Sequence, residues 1–86
     1  MEQFEDQSPG LTAAQRLKKR SVTLAGHKTS LSLEGAFWDE LKSLARSRGL
    51  SINALVAEID RDRQGNLSSA VRVYLLKVLR DRIPAR

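Results

Sequence analysis

The pattern of apolar and polar positions changes period once along the chain. From Lys28 to Leu33, K-T-S-L-S-L, it alternates strictly, with Thr29, Leu31 and Leu33 on one face and Lys28, Ser30 and Ser32 on the other. Period-two alternation predicts a half-buried strand. From residue 34 onward the period is helical. Phe37, Leu41 and Leu44, widened by Trp38 and Ala45, predict a helix over 34–48. Ile52, Leu55, Val56 and Ile59 predict a second over 51–62, with Ser51 as its N-cap. Val71, Tyr74, Leu75, Val78 and Leu79 predict a third over 67–82, capped by Asn66 or Ser68, and Val73 and Leu76 lie off its stripe. Gly49 is suited to closing the first helix. The turn R-G-L-S is short enough to make the first two helices close neighbours.

The segment ahead of the strand is less regular. Residues 1–10 have no period and end in Ser-Pro-Gly, and a solvated acidic tail is expected there. Residues 11–20 can form a short helix on Leu11, Ala14 and Leu17, with Thr12 capping it. Val22 and Leu24 give a second, shorter alternation whose parity differs from that of Leu31 and Leu33. Joining them on one face calls for a bulge or bend at Ala25-Gly26, and the segment either extends the strand or doubles back as a strand of its own. The division expected is a flexible acidic-then-basic arm over 1–19 and one folded domain over 20–86. A lone strand leaves ladder groups unpaired and one apolar face uncovered. The simplest partner is the same strand of a second copy.

Composition adjusts this picture in three ways. A chain of 86 residues with no cysteine has neither a disulfide nor a thiolate metal site to stabilise it, and one histidine does not make a metal site. That points to oligomerisation, and no cofactor is expected. No apolar run approaches the ~18 residues that cross a bilayer, and the first residues are acidic, so a cytoplasmic protein is expected. The net charge is +5 and unevenly spread: residues 11–33 hold Arg16, Lys18, Lys19, Arg20 and Lys28 and no acid. A basic stripe of this kind is the footprint of a nucleic-acid binder. Nothing in the chain resembles a catalytic acid pair, a phosphate-cradling glycine loop or a metal cluster, so an enzyme is not expected. His27 lacks catalytic neighbours, and the Phe37-Trp38 pair lies on the helical apolar stripe, as core residues do.

With strand, helix, R-G-L-S turn and capped helix in order, the segment Lys28–Arg63 resembles the ribbon-helix-helix family of DNA-binding proteins, which read the major groove with a β-ribbon. The wider stretch from R-S-V-T-L-A-G-H-K-T-S-L-S-L-E to N-L-S-S-A-V-R-V looks like a bacterial branch with a third helix. The resemblance implies a mainly α protein with one short strand. It implies an intertwined homodimer whose two strands form an intersubunit antiparallel ribbon, with double-stranded DNA as partner. It implies that Lys28, Ser30 and Ser32 read base edges and that the amides of Ser51, Ile52 and Asn53 hold phosphate, with Lys18, Lys19 and Arg20 adding charge on the DNA backbone. Serines reach less far than Arg, Gln or Asn, which lowers the base discrimination expected, and Ser32 has a competing use as a cap for the first helix. The function implied is that of a homodimeric transcriptional regulator, a repressor. The alternative is a dimerisation or partner-binding module, as in antitoxins.

Overall fold

The structure is a computed structural model, and it describes residues 11–83. The elements run β1 (Leu17–Leu24), β2 (His27–Glu34), α1 (Gly35–Ser47), α2 (Ile52–Arg61) and α3 (Leu67–Arg82). All three expected helices are present within a residue of the expected ends. The acidic tail over 1–10 lies outside the described residues.

The strand is not alone, which corrects the sequence expectation. β1 and β2 pair antiparallel as one hairpin, with Leu24 opposite His27 and Leu17 opposite Glu34. The short helix expected over 11–20 is a single turn instead. Gln15 and Arg16 donate to the Thr12 carbonyl, and the Thr12 N–H donates to Gln15 Oε1 at 3.1 Å. Only the Gln15 side chain reaches back, accepting from both the Thr12 N–H and the Thr12 hydroxyl, and the chain goes straight on into β1 at Leu17. Four residues of the expected basic helix, Leu17 to Arg20, are therefore strand.

The turn explains the parity that had called for a bulge. Ala25 and Gly26 both have positive φ, 52° and 81°, the conformation of a type I′ turn, whose twist matches that of the flanking strands. Residues facing each other across this hairpin have opposite parity, as Val22 and Thr29 or Leu24 and His27 do. Val22 and Leu24 thus share a face with Leu31 and Leu33 without any bulge, and all four are buried.

The helices cover that face. Trp38, Leu41, Leu44 and Ala45 of α1, Leu55, Val56 and Ile59 of α2, and Val71 and Leu75 of α3 join the four strand residues in one apolar core. Phe37 packs at its margin. Gly49, with φ 70°, ends α1: Leu50 N–H donates to the Ala45 carbonyl at 2.9 Å and Gly49 N–H to that of Arg46 at 3.1 Å. These are the two bonds of a Schellman closure. Ser51 caps α2, its Oγ accepting from Ala54 N–H at 3.0 Å, and Asn66 caps α3 by accepting from Ser69 N–H at 3.0 Å.

Ser32 does not cap α1. The N-cap is Glu34, and the first free amides of the helix go to backbone carbonyls of the preceding turn: Gly35 N–H to Arg16 at 2.9 Å and Ala36 N–H to Ala14 at 3.0 Å. A Cβ at Gly35 would stand 2.2 Å from the Ala13 carbonyl oxygen, so this close approach needs glycine.

Candidate nucleic-acid interface

Successive strand residues point to opposite faces, and directly opposed residues share a face. The buried set Val22, Leu24, Leu31 and Leu33 marks the inner side. The outer side then carries Lys19, Ser21 and Thr23 from β1, facing Ser32, Ser30 and Lys28 of β2. Every outward side chain from Lys19–Ser32 to Thr23–Lys28 is a lysine or a short hydroxyl. The Leu17–Glu34 pair lies beyond them at the open end, where Leu17 is 62% exposed. The three expected base readers, Lys28, Ser30 and Ser32, lie together on this face; Ser32 is half-buried and the other two are exposed. Ser21 and Thr23 were missed. The signal was present in the segment K-R-S-V-T-L, which has the pattern of K-T-S-L-S-L.

The structure divides the expected arm cations. Lys19 is on the outer face beside the hydroxyls. Lys18 and Arg20 alternate to the other side. The Arg20 guanidinium lies 5.0 Å from the centre of the Trp38 ring, and Trp38 Nε1–H donates to the Lys18 carbonyl at 3.0 Å. Trp38 is 2% exposed, a core residue rather than a stacking platform for bases. Among the described residues none of Lys18, Lys19, Arg20 and Lys28 has an acidic partner. Lys42, Arg48, Arg63 and Arg72, on the helices or just past their ends, do, pairing with Asp39, Glu58, Asp60 and Glu34. Among the described residues the ribbon therefore carries several cations and no ion pair between its own lysines or arginine and an acid, and Arg46, Arg61, Lys77, Arg80 and Arg82 on the helices are likewise without one.

The start of α2 meets the ribbon at β1. Asn53 grips the outward edge of Thr23: its Oδ1 accepts from Thr23 N–H at 2.8 Å and its Nδ2 donates to the Thr23 carbonyl at 2.9 Å. With Ser51 Oγ committed to Ala54, the backbone N–H groups of Ile52 and Asn53 have no acceptor among the described residues. Arg20, Ser21, Val22, Trp38, Ile52 and Asn53 line a shallow cleft of about 200 Å³ at this junction. Arg20 is thus brought to the helix start, while Lys18 and Lys19 do not line the cleft. Free amides at a helix start beside a guanidinium are the local chemistry that holds a phosphate.

At the other end of β2, Arg72 of α3 binds Glu34 through two bonds of 2.9 and 3.2 Å, and these hold the Glu34 carboxyl below its ordinary value of 4.5. A more open hollow of about 390 Å³ lies between the end of α2 and α3, lined in part by Ile59, Val73, Tyr74 and Lys77. No group of residues suited to holding a metal occurs among the described residues, and no helix there is long and apolar enough to cross a membrane.

A family model described as "Ribbon-helix-helix domain" matches residues 17–79, from the first residue of β1 to the last turns of α3. Among solved structures, an uncharacterized protein from Bordetella pertussis Tohama I is similar over 85% of this chain, at 32% identity and a TM-score of 0.70. The match spans 66% of that protein's chain. No curated protein matches the chain.

Proposed function

The chain belongs to the ribbon-helix-helix domain family, and from that premise we propose that it is a homodimeric DNA-binding regulator of transcription, a repressor that acts by occupying its site. It lays the outer face of a two-stranded β-ribbon in the major groove. The observation that carries this reading is that face itself: Lys19, Ser21, Thr23, Lys28, Ser30 and Ser32, with no apolar side chain among them. A two-stranded ribbon is about as wide as the groove admits. Short hydroxyls pair with several base edges, so they fit a reader of modest discrimination.

Phosphate contacts supply most of the affinity in this reading. The amides of Ile52 and Asn53 take one phosphate with Arg20 beside them, Ser51 holds the helix start in shape, and Lys18 adds charge nearby. A second copy of the chain is the protein partner. Leu17, Val73, Leu76 and Ile83 are exposed, at 62, 48, 57 and 60%, and supply apolar surface for it to cover.

The test is fluorescence anisotropy on a labelled random-sequence duplex across a salt series. Binding weakens as salt rises, with log K falling by about 0.9 per phosphate contact against log salt. Arg20→Ala weakens all sequences alike and lowers that slope by about one. Lys28→Ala with Ser30→Ala flattens the preference among sequences. A complex indifferent to salt and to both sets of changes would sink the assignment. Recovery of a stoichiometric protein partner without nucleic acid would favour the partner-binding module instead.

A further inference from the structure

The two strands of the hairpin carry one pattern twice. Lys19-Arg20-Ser21-Val22-Thr23-Leu24 and Lys28-Thr29-Ser30-Leu31-Ser32-Leu33 both read lysine, a variable residue, serine, an aliphatic, a hydroxyl, leucine, nine positions apart. The register turns this repeat into a symmetry. Lys19 faces Ser32, Ser21 faces Ser30 and Thr23 faces Lys28. A half-turn about an axis through the middle of the Ser21–Ser30 pair exchanges Lys19 with Lys28, and Thr23 with Ser32. The inner face obeys the same operation. Val22 exchanges with Leu31 and Leu24 with Leu33, all four buried, and Arg20 exchanges with Thr29, both exposed.

Twofold symmetry is what a ribbon built from two identical chains possesses, and it matches the twofold relation of half-sites in palindromic DNA. Here a single chain holds both strands in that relation. Width favours the same conclusion. The two strands are about 4.8 Å apart, whereas pairing β2 with a second β2 makes a four-stranded sheet with outer strands about 14 Å apart, against a groove of about 12 Å. On the other side, Asn53 already occupies the edge of β1 at Thr23.

We infer that one chain supplies both strands of the reading ribbon. Lys19, Ser21 and Thr23 are then specificity residues equivalent to Lys28, Ser30 and Ser32, and the ligand is a short quasi-palindromic stretch of duplex centred under the Ser21–Ser30 pair. The inference rests on the proposed DNA-binding function. A second copy of the chain docks outside the ribbon, and Lys19 moves from backbone contact to base contact.

The experiment is selection from a pool of duplexes with a randomised centre, using the full chain, Lys19→Gln and Lys28→Gln, with the fold of each checked by circular dichroism. Glutamine pairs with adenine through two bonds. Each variant is expected to gain a preference for adenine of about tenfold, at positions related by the centre of the site. If Lys28→Gln shifts the preference while Lys19→Gln only lowers affinity for every sequence alike, Lys19 is a phosphate contact and the inference is overturned. A chain that retains no duplex at low salt removes the DNA-reading proposal and this inference with it. A complex that forms but shows the unequal response removes this inference alone.

Discussion

Ala25 is the one described residue other than glycine with a positive φ. A type I′ turn demands this conformation at both central positions, and an alanine Cβ makes it costly. Asparagine tolerates the left-handed region better, and Asn-Gly is the preferred pair for this turn. Ala25→Asn should therefore stabilise the protein by about 0.5–1 kcal/mol, read as a higher urea midpoint with an unchanged slope. An unchanged or lower midpoint would mean that the turn is not built this way. Asn53 shows how one side chain can serve two ends. It was expected at a phosphate because its backbone amide opens α2, and that amide is indeed left free. Its side chain does something the sequence does not signal, which is to bind both polar groups of Thr23 thirty residues earlier. Such a contact depends on how α2 packs against β1, and no local pattern reports it.

At the scale of elements, the hairpin is held at both ends. Asn53 ties β1 to the start of α2, and the Glu34–Arg72 pair ties the end of β2 to α3. The second tie has a pH signature. Hydrogen bonding from Arg72 leads the lowering of the Glu34 pKa in the folded state, so the carboxylate binds its proton less readily folded than unfolded. The stabilisation it contributes is complete above the unfolded value near 4.5 and is lost as pH falls through the lower folded value. Both partners are about one third exposed, so solvent screens the pair and the effect is modest. The thermal midpoint of the unmodified protein should exceed that of Glu34→Gln at pH 7 and converge on it toward pH 3. A difference that persists at pH 3 would assign the effect to packing instead of charge. The parity of Val22 and Leu24 against Leu31 and Leu33 was legible at this scale too. In a two-residue hairpin that mismatch is the expected signature, and it demands a bulge only if the chain runs straight on.

For the whole molecule, the source of the core matters most. Leu31 and Leu33 are fully covered by elements of their own chain, and Leu55, Val56 and Val71 are fully buried with them. No second copy is needed to close this core, so the argument for an obligate twin from an unpartnered strand does not hold. The dimer proposed here is assembled from chains that are already folded. At concentrations low enough for sedimentation to show monomer, circular dichroism should keep its helical signal and urea unfolding should remain one cooperative transition. Loss of helix on dilution would restore the intertwined arrangement.

The sequence by itself determined the three helices, the Ser51 cap of the second, the tight turn between the first two, and the alternation of β2 that puts Lys28, Ser30 and Ser32 on one face. These are local matters, governed by side-chain period and by the chemistry of four or five adjacent residues. Only the tertiary structure decided that β1 is the partner of β2, that Lys19 parts company with Lys18 and Arg20, and that Asn53 reaches Thr23. Each of those depends on which groups meet across the hairpin or across thirty residues of chain, and not on the period of one segment. Such pairing is set by the free energy of the packed whole, so it cannot be read one window at a time.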